Sequence, residues 1–457
     1  MSTDLETALR GPSEMKATLD LLRREPRARR FFAAYAQSSL GNGAGYVALV
    51  ALAYERWRSP WAITLVLMAD FVPAMLLGPV FGAVADRWSR RRVAVVSDLM
   101  RAVAFVAVGL VGGIWATVAL ALLAGTGAGL FTPSVLAALP SLVDERRLPA
   151  ATSLYGGLTD AGRTVGPLAA ALAMTFTSAK AIVIVNGATF LVSALVVGMV
   201  RFGAAPGRAG DDDGEPRSGL LAQARDGVAA IAGMPGISTL VLASSGVILF
   251  SAMMNVAELL LARSLGAGDI GFSVLVGIFG IGFVAGSLSG AGGAPVPELK
   301  RRYLLGILLI GAGLVVAVVP SFPVAALGLA LAGLGNGVTL VSERLICQKV
   351  IPDSLLARAF ALFDTAGSWA FAIAFVGAGA VLSFTGVRPV LLAAGLGSVA
   401  IWALSNVALR GLWERATEVT DEPEVERAQA LPQKAAGPLP PPATVAARAA
   451  AGPVLAE

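Results

Sequence analysis

The 457 residues contain no histidine and a single cysteine, Cys347. One thiol excludes an intrachain disulfide and a Cys/His metal cluster, and without imidazole there is no histidine proton relay. No GxxxxGK[ST] loop occurs, so ATP hydrolysis through that phosphate cradle is excluded as well. Charge is scarce: Asp, Glu, Lys and Arg make up 14% of the chain against 56% apolar residues, with a mean hydropathy of +0.75. Such usage lies far outside that of soluble domains and belongs to a membrane protein.

What is present is a series of long apolar runs. Crossing the ~30 Å hydrocarbon layer takes about 20 helical residues, and an α-helix satisfies its own backbone polar groups there. Twelve runs qualify, near 31–53, 61–85, 93–114, 116–139, 152–176, 181–202, 237–261, 270–293, 303–320, 324–342, 357–383 and 388–410. The first thirty residues are polar and basic, which predicts that no signal peptide is removed and that the first span is retained. With the N-terminus inside, inner segments hold 28 of the 35 Lys and Arg residues. That bias predicts an inner-membrane protein with both termini cytoplasmic, and it explains the net charge of +5 without a nucleic-acid partner.

The expected architecture is all-α and integral to the membrane, with twelve helices in two pseudo-symmetric six-helix bundles. Residues 1–30 are read as a cytoplasmic segment, 31–203 and 237–412 as the bundles, and 413–457 as a disordered tail. The Gly, Pro and charge-rich stretch opening the 204–236 linker divides the spans six and six, and the linker's later part, 220–233, has the spacing of a surface helix. A shift of 208 places Leu123–Gly129 on Leu331–Gly337, and Gly78 and Gly82 on Gly286 and Gly290. Two such repeats predict a substrate path between bundles that rock against each other. Their GxxxG spacings are read first as close helix packing.

Between the second and third spans, Gly82, Asp86, Arg87, Arg90 and Arg91 fit the GxxxDRxGRR pattern, with Ser89 where glycine is usual. In this motif, its span count and its central linker, the chain resembles the major facilitator superfamily over about residues 31–412. Finer features, "SDLMRA", "LPSLVDERRLPAATSL" and "VIPDSLLARAFAL", resemble the branch of macrolide efflux proteins and siderophore exporters. Gly162, Gly166 and Pro167 match the antiporter pattern of the fifth helix, although Ala170 and Ala171 replace its final glycines. The resemblance implies that Asp86 and Arg87 act as an inner latch, touching the partner bundle when the cytoplasmic side is closed. Arg90 to Arg92 are read chiefly as a topology anchor.

A charge near the bilayer centre costs about 2.5–3.5 kcal/mol even on permissive scales, so ionisable residues within spans are functional candidates. Asp160 and Arg163 share a helical face at i, i+3, either as a permanent ion pair or as a proton-responsive one. Asp364 stands opposite Gly156 under the repeat, and is read either as facing the pathway or as a charge wetted from the cytoplasm. Asp70 and Glu258, toward the outer side, are candidates for proton binding, with a water-reached rim position the favoured reading. Asp98 and Arg101 form a second i, i+3 pair, read as a structural clamp. Under the shift of 208 the N-terminal half holds most of this charge, which predicts that coupling is concentrated there.

The reading that follows is a non-enzymatic, cofactor-free monomer that exports a lipophilic, amphipathic organic compound by proton-coupled alternating access. Two alternatives stay open: a proton-coupled importer of a small metabolite, and a non-transporting membrane sensor on the same fold.

Overall fold

The computed structural model describes residues 10–200, 233–234, 236–289 and 294–413. The expected surface helix at 220–233 and the tail at 413–457 lie, but for a residue at an edge, outside them. Among the described residues there is no strand, and each of the twelve apolar runs is helical.

A short amphipathic helix, α1 (Arg10–Arg24), precedes the bundle. The first half comprises α2 (Pro26–Trp57), α3 (Pro60–Leu76), α4 (Gly78–Arg87), α5 (Arg90–Leu110), α6 (Ile114–Ala138), α7 (Leu148–Ala173) and α8 (Ala179–Met199). The second comprises α9 (Ile237–Ser251), α10 (Met254–Ser264), α11 (Gly268–Leu288), α12 (Val296–Val316), α13 (Phe322–Val350), α14 (Asp353–Thr385) and α15 (Val387–Ala408). Among the described residues, eight segments are apolar and long enough to cross a membrane by length and composition, with Pro60–Leu76 a shorter one. Two expected spans are interrupted: the second breaks at Leu77, where Pro73 and Pro79 weaken the hydrogen-bond ladder, and the seventh at Ala252–Met253.

The packing of one half repeats in the other. In the first, α5 lies against α6 and α8, α2 against α7 and α8, and α3 against α6; in the second, α12 lies against α13 and α15, α9 against α14 and α15, and α11 against α13. The halves meet chiefly through two equivalent crossings, α7 with α11 and α14 with α3. Close glycine contacts fix the register of the repeat. A Cβ on Gly187 would meet the Ala102 carbonyl and Val106, and one on Gly395 would meet the Gly311 carbonyl and Val315. Gly187 and Gly395 differ by 208, but Ala102 and Gly311 differ by 209. The first three spans of each half are therefore offset by one residue more than the last three. This corrects the expected pairing of Gly78 with Gly286, whose counterpart is Leu77. Gly286 packs tightly on Leu334, whereas a Cβ on Gly78 or Gly82 would meet nothing.

The end carrying Arg90, Arg147 and Lys300 is the basic end. Here α1 and the start of α7 are tied to α2 by Arg147, whose guanidinium bonds Glu25 at 2.7 Å and reaches Asp20 at 3.5 Å. Stacked Phe31, Tyr35, Tyr155 and Phe131 fill the first half behind them. Arg90 donates to the Ala137 carbonyl at 2.6 Å and Arg91 to that of Gly198, so each caps the last turn of a neighbouring helix. Lys300, 209 residues after Arg91, does the same to the Leu409 and Leu412 carbonyls. These arginines thus hold helix ends together in addition to any bias they place on topology.

Candidate functional site: a cavity between the halves

Contacts between the halves lie at mid-bundle and at the end away from the basic loops. Thr64 Oγ1 donates to the Phe375 carbonyl at 3.4 Å, and the Arg263 guanidinium, paired with Asp269 at 2.7 Å, sits 4.8 Å over the Tyr54 ring. Leu168 and Thr164 of α7 fill the space a Cβ would need at Gly277 and Gly280 of α11. At the basic end, among the described residues, every ion pair closes within one half. Between the halves lies a cavity of about 860 Å³.

Among the described residues, three charged side chains line it: Arg163 of α7 from the first half, and Glu343 of α13 and Asp364 of α14 from the second. Phe279, Phe283, Phe363 and Phe371 supply much of its apolar wall, and Asn255 and Asn336 add polar groups. Where Phe371 lines the cavity it backs onto Phe71 and Phe375, with ring centroids 4.5–6.2 Å apart. The volume falls in the range of about 300–1,000 Å³ that holds drug-sized ligands.

Two carboxylates from opposite halves stand one helical turn past the lining. Ala74 and Met254 line the cavity; Asp70 lies one turn past Ala74 on the same face of α3, and Glu258 one turn past Met254 on α10. Glu258 is 2% exposed, which overturns the expected rim position, and Asp70 is partly buried. Tyr46 of α2 lies within electrostatic reach of both acids, and its hydroxyl faces Asn255 Oδ1 at 3.5 Å. Among the described residues no ion pair joins either carboxylate to a cation.

The other candidates separate. Arg163 reaches the cavity, Asp160 does not line it, and the two do not form the expected ion pair. One face of α7 is occupied instead by α2: a Cβ on Gly162 would strike Ser39, and one on Gly166 the Leu40 carbonyl and Ala44. The antiporter-like glycines are thus a helix crossing, with Pro167 buried beside them. Arg87 is exposed at the end of α4, and the Asp86 side chain lies outside the described ones. Glu343 escaped the sequence reading because Ser342-Glu343-Arg344 ended the tenth apolar run, whereas α13 continues to Val350. With Glu258 and Glu343 both in the second half, buried charge is not concentrated in the first.

Asp98 and Arg101 do pair, inside the first half. Asp98 Oδ1 accepts from Arg101 Nη2, and the guanidinium is sandwiched 4.4 Å from the Phe131 ring centroid and 4.2 Å from that of Phe190. Asp98 is fully buried. Breaking a buried pair by removing one partner strands the other charge at a cost of about 3–5 kcal/mol, whereas an apolar replacement of both is often neutral. Asp98→Ala is therefore expected to lower the unfolding temperature of the purified protein sharply, and Asp98→Leu with Arg101→Met to restore much of it.

Helix bundles in repeated halves with a cavity between them have the architecture of a polytopic membrane transporter. The family model of the Major Facilitator Superfamily matches residues 31–374, and the chain belongs to that superfamily. It is 22% identical over 369 residues to the uncharacterized MFS-type transporter YfiS of Bacillus subtilis (strain 168), covering 78% of this chain and 87% of that protein. It is 24% identical over 371 residues to the multidrug efflux pump Tap of Mycolicibacterium fortuitum, covering 78% and 89%. Macrolide efflux protein A of Streptococcus pyogenes matches at 23% over 160 residues, 34% of this chain and 40% of that one. Among solved structures, the nucleoside transporter NupG superposes with a TM-score of 0.66 at 14% identity, covering 84% of this chain and 99% of that one. A bacterial homolog of the human lysosomal transporter Spinster, in an inward-facing and unoccupied conformation, does so at 0.64 and 12%, covering 84% and 96%.

Proposed function

We propose that the protein exports an amphipathic organic compound from the cytoplasm in exchange for protons. The observation that carries this reading is the pair Asp70 and Glu258, one from each half and one turn past the cavity lining, neither of which forms an ion pair among the described residues, with Arg101, already paired to Asp98, the cation within electrostatic reach of Asp70. An uncompensated carboxylate in an apolar setting is costly to keep charged. That cost falls away once the halves part at this end and water arrives. A proton taken up there and released toward the cavity is a natural coupling element, because its carriers sit where the two access routes meet.

Efflux is favoured over import by the names of two relatives, an efflux pump and an efflux protein. The phenylalanine-lined cavity suits a lipophilic substrate. In this reading the basic end is cytoplasmic, as the charge bias predicts, and substrate enters the cavity from that side. Arg163 and Asp364 are pathway residues in this reading, and Asp86 and Arg87 with Gly82 belong to the gate that closes behind the substrate. The protein is proposed to act as a monomer, from the inner membrane, with no cofactor.

The test uses inverted membrane vesicles offered a panel of fluorescent dyes and antibiotics. Uptake of at least one compound should require an interior-acid proton gradient and collapse when a protonophore is added. Uptake indifferent to the gradient would remove proton exchange. Uptake only into right-side-out vesicles would make the protein an importer.

A further inference from the structure

The wall contributed by the second half contains an acidic network. Glu343 Oε2 accepts a hydrogen bond from Ser244 Oγ of α9, and that hydroxyl also pairs with Tyr303 OH of α12 at 2.9 Å. Tyr303 is fully buried and Ser244 nearly so, so the network reaches from the core of the half to the cavity surface. Ser244 and Tyr303 hold the Glu343 carboxylate in place but leave its charge uncompensated. Asp364, also on this wall, lies within electrostatic reach of Glu343. Arg344 acts on both acids, but it is exposed and not part of the cavity lining. The same cavity is lined by Phe279, Phe283 and Phe363, aromatic rings whose faces attract cations. The cation lining the cavity, Arg163, projects from the opposite half.

From this we infer that Glu343 is the anchor of a binding subsite for the positively charged group of a lipophilic organic cation, with Ser244 as the residue that positions it. The inference deepens the export reading and rests on it, since it names the class of compound that the cavity accepts. Charge selection follows from position. A cation seated beside Glu343 forms the ion pair that, among the described residues, Arg344 acts on from outside the lining without making, whereas an anion of the same shape meets two carboxylates on one wall. Arg163 orients the cargo by repelling its charged end and by offering donors to acceptor groups at the other. Selection by placed charge of this kind is largely a matter of excluding the wrong sign.

Two ions of nearly identical shape test this directly: tetraphenylphosphonium and tetraphenylborate, measured by equilibrium binding to the full-length protein in nanodiscs, with protein-free nanodiscs subtracted. The cation should bind at least about tenfold more tightly than the anion, and Glu343→Gln should remove most of that preference while leaving the unfolding temperature within a few degrees. Ser244→Ala should weaken cation binding by a smaller factor, and it serves as the second variant if Glu343→Gln is poorly folded. Equal binding of the two ions, or a preference that survives in a folded Glu343→Gln protein, overturns the assignment. Either result, combined with gradient-dependent uptake of a neutral compound in vesicles, would leave the export reading standing while removing this subsite. Loss of gradient dependence with cation binding intact would do the reverse.

Discussion

Asp70→Asn is expected to abolish accumulation driven by a proton gradient, by about a hundredfold or more, the scale set by losing an essential proton-transferring side chain. Substrate binding and gradient-independent exchange across the membrane should persist. Asparagine keeps the size and hydrogen-bonding reach of the carboxyl but cannot carry its proton. Because Asp70 lies past Ala74 rather than on the cavity surface, the substitution leaves the lining untouched. Glu258→Gln should behave in the same way from the other half. If the two acids share one coupling step through the neighbourhood of Tyr46, the double variant will be no worse than either single one, the signature of residues acting as a unit. The comparison is made in reconstituted liposomes, with downhill exchange and uphill uptake measured on the same preparations. Full uphill uptake by both variants would strip these acids of the coupling role.

The second large effect concerns glycines that the sequence presents as alike. Gly162→Leu should yield no stably folded protein, because a Cβ there already strikes Ser39 where α7 crosses α2, so close that a Cβ on the facing Gly43 would meet the Gly162 carbonyl. Overpacking costs about 1–3 kcal/mol where side chains can shift, and more where the obstacle is backbone. Gly82→Leu should fold normally, since the space around it is empty in this structure, and should gain up to about 1 kcal/mol of helix propensity. It should nonetheless stop transport. At the far end α3 packs on α14; closing the basic end would carry α4, the continuation of α3, against the same helix, and a bulky side chain would hold the gate open. Thermal unfolding and exchange assays separate the two outcomes. A Gly82→Leu protein that transports like wild type would mean that α4 never makes that approach.

The contrast shows where the sequence was legible. Long apolar runs between basic loops carry their own structural meaning, because a run of about 20 apolar residues hides its backbone in lipid as a helix, and among the described residues every expected span is built on helix. The register of the repeat was legible only to within one residue: with 53 glycines, coincidences between shifted helices are cheap, and it took the contact of Gly187 with Ala102 and of Gly395 with Gly311 to correct it. Side-chain roles were read less well, for reasons of direction. Spacing of i, i+3 puts Asp160 and Arg163 on neighbouring faces, but it does not say that Arg163 reaches a cavity its neighbour does not line. Glu258 looked like a rim residue from its place near the end of a run, yet α10 follows a break in the seventh span and carries it inside. Glu343 was hidden because three polar residues end an apolar run even when the helix does not end. One wall of a helix facing a water-filled cavity is polar by necessity, and hydropathy alone reads that as the membrane boundary.

The central claim is exchange of substrate for protons, and it is tested most directly by measuring proton movement itself. Liposomes containing the purified protein and a trapped pH indicator are loaded with a transported dye and diluted into dye-free buffer, with no pH gradient imposed. Outflow of dye should drive protons inward and acidify the lumen in wild type, with no acidification in Asp70→Asn under matched dye exchange. Dye outflow with an unchanged luminal pH, or with a luminal rise, would contradict proton exchange and with it the role given to Asp70 and Glu258.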